Sequence, residues 1–530
     1  MTLGRAVAVV GGFTMLSRLL GFARDIAIAA ALGAGPIADA FFIAFKLPNF
    51  FRRLFAEGAF ASAFVPLFSG ELASKGKDEA VAFAREAQAA LLAVLLPFAA
   101  LMIAAMPLVV AALAPGFAAS PSTVAAAVDF GRIAFPYLVL ISLVSLYSGV
   151  LNGLNLFGHA AAVQMLLSVV LLICLFALTP VLPNAGYALA IGVTLGGIVQ
   201  WGWVLRACRR AGVAMSPQRP AFGPRVRRML AVVLPAALGA GAFQLNQMLD
   251  MVWSSWMPQG AISVLYYADR IHQLPLGVVG IAIGTALLPM LSRQVREGNA
   301  EAAMANQNRA IEVGLLFSLP ALAVLLPLAW PIIATLFERG AFGPAESVRA
   351  AQALQAFALG LPAFVLVKAL AVGFFAREDT RTPLNVALVA IAANIVLNIA
   401  FLTGTSLEHV GVALASSLSG WVNALALGFL LWRRGYWIAD ARLLKRAPAM
   451  LLAAAAMGVA LWYAVGHAMP WFATGGVMRW IALAILCGGG AAIYGLAGTL
   501  LRFVRPSELR ALTRRTPGTR AERDPTTSLD

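Results

Sequence analysis

Residues 38–60 read ADAFFIAFKLPNFFRRLFAEGAF, and this stretch places charged side chains within a run of aromatic and aliphatic ones. Its five charged residues are Asp39, Lys46, Arg52, Arg53 and Glu57. A Lys, Arg or Asp at the centre of a membrane helix costs roughly 2.5–3.5 kcal/mol on insertion scales. If the segment lies in a membrane, these side chains therefore face protein or water rather than lipid.

The composition of the whole chain indicates a membrane protein. Of its 530 residues, 61% are hydrophobic and 12% are charged, and the mean hydropathy is +0.85. Charged residues make up about 25% of an ordinary soluble domain. Apolar runs such as 87–114 and 163–182 reach the length of about 20 residues that a hydrocarbon core requires. The sequence therefore predicts an all-α polytopic membrane protein.

Clusters of Gly, Pro and Asn and short charged runs divide the chain into apolar segments. We predict fourteen transmembrane helices, near 5–32, 37–68, 81–114, 123–154, 161–180, 186–206, 229–256, 263–291, 309–337, 347–376, 384–402, 411–432, 447–466 and 479–502. The first segment lacks the pattern of a cleaved signal peptide, so we interpret it as a retained helix.

The net charge of +16 comes from the loops and the C-terminal tail. With the N-terminus inside, the internal loops carry seventeen Lys and Arg residues, and the external loops carry only Arg339. This asymmetry predicts that both termini are cytoplasmic. The net positive charge is therefore explained by membrane topology and by contact with anionic lipid headgroups, and it does not require a nucleic-acid partner. Residues 506–530 are polar and basic, and we expect a disordered cytoplasmic tail.

The chain contains an internal repeat with an offset of roughly 225 residues. ADAFFIAFKLP in the first copy aligns with ADRIHQLP in the second, which pairs Asp39 with Asp269. Each copy holds six helices, so both insert in the same orientation, related by a pseudo-two-fold axis along the membrane normal. We predict an N-lobe over 1–222 and a C-lobe over 223–446, with 447–505 outside the repeat.

Charges within the apolar segments form a cationic set with two open interpretations. Asp39, Lys46, Arg53 and Glu57 are spaced by seven, seven and four residues, so they share one helix face. A surplus of cations in a low-dielectric cavity favours an anionic ligand, and arginine binds phosphate through two hydrogen bonds. Structural ion pairs, such as Arg53 with Glu57, are the alternative. The set also includes Arg18, Arg24, Arg52, Asp269 and Arg270, and Lys368 stands alone in the tenth segment.

A second group of side chains is mostly uncharged. Asp250 lies in the seventh segment, and Asn394 and Asn398 stand one turn apart in the eleventh. With Ser416 and Ser417 they offer oxygen ligands for Na⁺, or a proton site on Asp250; interhelical hydrogen bonding is the alternative. The three Cys and four His residues are dispersed, so no structural metal or resident cofactor is expected. We find no catalytic motif.

The stretches SRLLGFARD (17–25), 38–66 and YYADRIHQLPLGVVGIAIGTALLPMLS (266–292) resemble the MurJ (MviN) family. The resemblance implies a lipid II flippase of peptidoglycan synthesis in the bacterial inner membrane, with alternating access and a cationic central cavity. It implies that helices 13 and 14 form a groove for a polyprenyl tail, and it makes other cell-wall synthesis and division proteins candidate partners. Gln273 departs from the pattern, since relatives can carry an acid there. Carried-over cavity residues are Ser17, Arg18, Arg24, Asp39, Lys46, Arg52, Arg53, Glu57 and Arg270; Asp250, Asn394 and Asn398 match a Na⁺ site of some members.

Three other functions remain open at this stage. One is an exporter of a different polyprenyl-linked saccharide or of a cationic drug, although a drug exporter of that kind should have an acidic cavity. Another is a membrane-embedded glycosyltransferase, and the last is a non-transporting scaffold of the cell-wall machinery.

Overall fold

The computed structural model describes residues 3–52, 59–216, 218–220 and 223–503, and these ranges are almost entirely α-helical. Apart from helices, the only regular pairing in them is an isolated bridge between Arg339 and Phe342. The α-helices are α1 Leu3–Leu32, α2 Pro36–Arg52, α3 Ala59–Lys75, α4 Lys77–Ala104, α5 Met106–Leu113, α6 Pro121–Ala134, α7 Tyr137–Gly153, α8 Phe157–Leu178, α9 Ala185–Arg210, α10 Pro224–Ser255, α11 Ala261–Arg296, α12 Ala300–Phe337, α13 Pro344–Phe375, α14 Arg381–Gly404, α15 Glu408–Arg433, α16 Ala441–Ala473 and α17 Gly476–Leu500.

Within the described residues each of the fourteen predicted segments coincides with helix, and two of them are divided. The segment 81–114 becomes α4 and α5, and 123–154 becomes α6 and α7. Both breaks stand beside a proline, Pro107 and Pro136, whose nitrogen cannot donate the helical hydrogen bond. The prediction of single continuous helices was therefore wrong at these two places. The predicted segment 37–68 contains residues 53–58, which lie outside the described residues, so its continuity stays a prediction.

Ten helical stretches in the described part of the chain are long and apolar enough to cross a membrane. They cover α4, α6 with α7, α8, α9 and each helix from α12 to α17. Large apolar side chains also cover the outside, with Leu108, Phe176 and Leu500 between 71% and 79% exposed. A surface of this kind suits lipid rather than water. The protein is thus a multi-pass membrane protein, and the number of fourteen crossings stays a prediction.

The helices pack in two groups. Within the first, α1 packs on α8, α2 on α6, and α9 on both α7 and α8. In the second, α13 is central and contacts α11, α12 and α15. The last two helices attach to this second group, because α16 packs on α12 and α17 packs on α16. The groups meet where α2 contacts α11 and where α3 contacts α10, so these helices place residues of both groups side by side.

Candidate functional site: a charged cluster below a closed seam

Asp39 joins the two helix groups at their predicted external end. Its carboxylate accepts hydrogen bonds from the backbone N–H of Gly260 (2.6 Å) and from both the N–H (2.8 Å) and hydroxyl (2.7 Å) of Ser263. Those two residues stand at the N-terminus of α11, where N–H groups lack helical partners and the helix dipole favours a negative charge. Asp39 of α2 therefore caps a helix of the other group.

The backbones of the two groups touch around this cap. Ala341 donates its N–H to the carbonyl of Ala30 (2.8 Å), and the Tyr267 hydroxyl donates to the carbonyl of Gly33 (3.2 Å). Gly260 has a φ of +88°, and a Cβ there would lie 2.4 Å from the carbonyl oxygen of Ala34. Only glycine fits such a position. We call these contacts, together with the Asp39 cap, the outer seam.

Further inside the protein, a cluster of arginines surrounds one carboxylate. Asp25 accepts from Arg24 at 2.7 and 3.0 Å, and Arg270 Nε lies 3.4 Å from its other oxygen. Arg270 also donates to the Tyr266 hydroxyl (2.7 Å), and its guanidinium stands 4.5 Å over the Tyr266 ring. We call Arg24, Asp25, Tyr266 and Arg270 the arginine cluster. Its two guanidinium groups and one carboxylate leave a positive surplus.

The members of the arginine cluster differ in exposure. Arg24 is 9% exposed and Asp25 is 3% exposed, whereas the side chain of Arg270 is 33% exposed. Arg24 is therefore held inside by Asp25, whereas Arg270 is partly exposed, with its Nε buried and one Nη bonded to Tyr266. An Arg that is fixed by a stacked tyrosine and a shared carboxylate is well placed to bind an incoming anion.

Other predicted cavity residues lie around this cluster. A methyl group on Gly277 of α11 would lie 3.3 Å from Arg18 Nη1, which places the Arg18 guanidinium against the second helix group. Lys46 of α2 lies within electrostatic reach of Asp250 and Asp269. Asp269 also accepts from Gln273 and lies 3.8 Å from the His272 ring nitrogen.

Four further predicted residues complete the comparison with the sequence. Ser17 lies next to Arg18 on α1, and Arg52 is the last residue of α2, at the end away from the outer seam. Arg53 and Glu57 lie outside the described residues, so their predicted ion pair stays a prediction.

Asp250, Asn394, Asn398 and Ser416 come together between α10, α14 and α15, and we call them the oxygen cluster. Ser416 donates to Asp250 (3.0 Å), and the Asn398 amide donates to the Asn394 side-chain oxygen (3.0 Å). Among the described residues, one oxygen of Asp250 and the side-chain oxygen of Asn398 are buried and have no hydrogen-bond partner. Ser417 is not a member, because its hydroxyl donates to the carbonyl of Ala356 instead.

An apolar groove of about 1000 Å³ opens along α16. It is lined by residues of α12, α13 and α16, among them Leu322, Gln355, Leu451 and Trp462. No residue of α17 lines this groove. Of α16 and α17, the two helices that the sequence predicted to form a groove for a polyprenyl tail, only α16 lines this one.

Sequence reasoning missed two groups of contacts. Tyr266 and Ser263 are uncharged, and only their positions beside Arg270 and Asp39 show what they bind. Arg225 is one of the seventeen Lys and Arg residues of the predicted internal loops, and the structure places it in the first turn of α10. It donates to Glu79 (3.0 Å) and Glu86 (2.6 Å) of α4, which ties the second helix group to the first at the predicted cytoplasmic end. Its position within the long predicted loop 207–228 was the only feature of the sequence that could have indicated this contact.

Two helix groups with a charged cluster between them, set in an apolar exterior, define a polytopic membrane transporter. A protein-family model described as Lipid II flippase MurJ matches residues 28–482. A probable lipid II flippase MurJ of Rhizobium meliloti (strain 1021) is 44% identical over 521 residues, which cover 96% of this chain and 97% of the relative. The lipid II flippase MurJ of Burkholderia cenocepacia is 35% identical, covering 82% and 85%. The chain belongs to the MurJ family of lipid II flippases.

Solved structures agree with this assignment. The lipid II flippase MurJ in an inward closed conformation matches with a TM-score of 0.77 and 25% identity, covering 96% of this chain and 100% of that one. An inward-facing multidrug transporter of the MATE family matches with a TM-score of 0.66 and 17% identity, covering 81% of this chain and 98% of that one, which shows a shared fold.

Proposed function

We propose that this protein transfers lipid II from the cytoplasmic to the outer leaflet of the bacterial inner membrane by alternating access. The observation that carries the proposal is the arginine cluster, a cationic site at membrane depth directly below a closed seam. Membership of the MurJ family supplies the substrate, a disaccharide-pentapeptide joined to a polyprenyl chain through a diphosphate.

The diphosphate is the group that fits the arginine cluster. Phosphate oxygens accept pairs of parallel hydrogen bonds from one guanidinium, and each such charge-assisted bond contributes about 1.5–3 kcal/mol. Arg270 presents the accessible fork, Arg24 supplies charge from behind, and Arg18 reaches the same space from α1. Lys46 and Arg52 on α2, with Arg53, guide the headgroup toward the cluster.

The polyprenyl tail stays in an apolar environment while the headgroup crosses. It lies in the bilayer or along α16, in the region of residues 447–505, where apolar side chains line a groove. Moving only the headgroup through the protein avoids the cost of passing a long hydrocarbon chain through a polar cavity.

Alternating access requires the outer seam to open. The contacts that break are the Asp39 cap on α11, the backbone hydrogen bond from Ala341 to Ala30, and the hydrogen bond from the Tyr267 hydroxyl to the Gly33 carbonyl. Each is a single hydrogen bond or a cap, worth about 0.5–2 kcal/mol. A diphosphate that draws Arg24 and Arg270 together changes the relative position of α1 and α11, the helices on either side of the seam.

The membrane potential drives export of an anionic headgroup, since with a negative interior outward movement is downhill. Each charge contributes about 2.3 kcal/mol per 100 mV. We expect purified protein in liposomes to expose fluorescent lipid II at the outer face faster when a potassium gradient makes the lumen negative. An unchanged rate would contradict potential-driven transport. Absence of any protein-dependent exposure, or formation of a covalent product, would instead contradict the flippase function.

A coupling cation, Na⁺ or a proton, binds at the oxygen cluster in this proposal. The two buried oxygens without partners on Asp250 and Asn398 are suitable ligands for Na⁺. Sodium or proton binding there resets the empty carrier, because α10, α14 and α15 meet at this point.

The Asp250→Asn variant tests the cation site. It keeps the hydrogen bond from Ser416 but removes the negative charge, so we expect the Na⁺ dependence of lipid II transport to fall at least tenfold. Transport in Na⁺ and in choline buffers, with pH varied separately, measures the effect. The Asp129→Asn variant, which alters a hydrogen-bonded acid between α6 and α9, is the control. An Asp250→Asn protein that keeps its full response to Na⁺ and to pH would contradict the assignment.

A further inference from the structure

Lys368 lies within α13, seven residues before its last residue, Phe375, and its side chain is exposed. Phe357 and Phe364 on the same helix pack against His272 of α11, with ring centroids 5.6 and 5.5 Å apart. Lys368 follows them by eleven and four residues, so all three share one helix face. Lys368 therefore points to the side of α13 on which α11 lies, and α11 in turn contacts α2 of the first helix group.

Long stretches of α10, α11 and α14 contribute no Lys or Arg to this part of the protein. Residues 229–255, 271–292 and 382–404, which cover most of α10, α11 and α14, contain no Lys or Arg. Residues 351–375 of α13 contain only Lys368. Among the described residues, the Lys368 ammonium has no ion-pair or hydrogen-bond partner, so its charge is not consumed by a structural contact.

Lys368 and the arginine cluster lie at different depths along the membrane normal. Phe357 is level with His272, two residues from Arg270. Eleven residues of helix advance about 16 Å, toward the predicted cytoplasmic end. Lys368 therefore lies nearer to the predicted cytoplasmic entrance than Arg270, so it acts on the headgroup at an earlier step or on another part of it.

We propose that Lys368 is the C-lobe contact for an anionic group of the substrate as the headgroup enters from the cytoplasm. This inference rests on the proposed function. The recognised chemistry is a phosphate or carboxylate oxygen, and lipid II offers both, in its diphosphate and in its stem peptide. In this proposal Arg52, at the end of α2 away from the outer seam, contacts the headgroup from the N-lobe in the same step.

Transport kinetics test the role of Lys368 in liposomes. We expect Lys368→Gln to raise the KM for lipid II about tenfold with little change in kcat, since one charge-assisted bond is lost in the loading step. Lys368→Arg should restore the KM, which a purely structural role does not predict. Lys445→Gln, at an exposed lysine of α16, is the control. Equal KM values for Lys368→Gln and Lys445→Gln would overturn the proposal, whereas a wild-type protein without transport would refute the function itself.

Cysteine protection gives an independent test in a chain whose native cysteines are replaced. We expect Lys368→Cys to react with a membrane-impermeant thiol reagent and to be protected by lipid II. Leu359→Cys lies nine residues earlier, on the opposite face, and should show no protection. Protection by lipid II but not by an analogue with amidated carboxyl groups identifies the stem peptide, and equal protection identifies the diphosphate. No protection by either lipid would overturn the proposal.

Discussion

The Arg270→Ala variant is expected to lose lipid II transport by at least a hundredfold. Arg270 supplies the accessible fork of the arginine cluster, so its removal eliminates two charge-assisted hydrogen bonds to the diphosphate, each worth about 1.5–3 kcal/mol. It also leaves Asp25 with Arg24 alone and so cancels the positive surplus of the cluster. Transport by purified protein in liposomes measures the loss directly.

Two controls separate binding from folding in this experiment. Arg270→Lys keeps the charge but loses the planar fork, so we expect transport between that of the wild type and that of Arg270→Ala. Arg293→Ala removes an arginine of the same helix that pairs with Glu297 at an exposed site, and it should transport normally. Normal transport by a folded Arg270→Ala protein would show that the cluster is a structural ion pair.

The Asp39→Ala variant is expected to open the outer seam. Three hydrogen bonds that end on one buried carboxylate disappear, and the N-terminus of α11 loses its cap. Caps contribute about 0.5–2 kcal/mol and hydrogen bonds to charged groups about 1.5–3 kcal/mol. A population shift of at least tenfold toward the open state follows, and transport slows because the closed state is lost.

Distances between spin labels measure this shift. Labels at Ser122, in the first turn of α6, and at Gln259, in the loop before α11, are exposed at the external end of the two helix groups and should move apart in Asp39→Ala. Asp39→Asn keeps one acceptor oxygen and should show a smaller change. The Glu301→Ala variant, at an exposed acid in the first turn of α12 and at the opposite end of the protein, is the control. An unchanged distance distribution in Asp39→Ala would contradict the role of Asp39 as a latch.

Much of the architecture could be predicted from the sequence because hydropathy determines which segments leave water. The fourteen segments proved helical wherever the structure describes them, and the errors arose beside Pro107 and Pro136, where a missing N–H ends a helix that hydropathy alone extends. Alignment of Asp39 with Asp269 gave the internal repeat, but it also made the two residues look equivalent. Asp39 caps α11, whereas Asp269 contacts side chains of its own helix.

The contacts of the site could not be predicted, because they join residues far apart in the chain. Asp39 lies 221 residues from Gly260, and Asp250 lies 166 residues from Ser416. The sequence identified the charged residues through the cost of burying them, and it grouped Asp250 with Asn394 and Asn398 by ligand type. It could not identify Tyr266 or Ser263, whose roles depend only on the position of a helix from the other group.

The most direct test of the proposed function is depletion of this protein from growing cells, followed by measurement of lipid II at the outer face of the inner membrane. A periplasmic probe that cleaves or labels the exposed headgroup reports its accessibility. We predict that lipid II accumulates and becomes inaccessible, and that wild-type protein restores exposure while Arg270→Ala does not. Normal exposure of lipid II after depletion would contradict the assignment of this protein as the flippase.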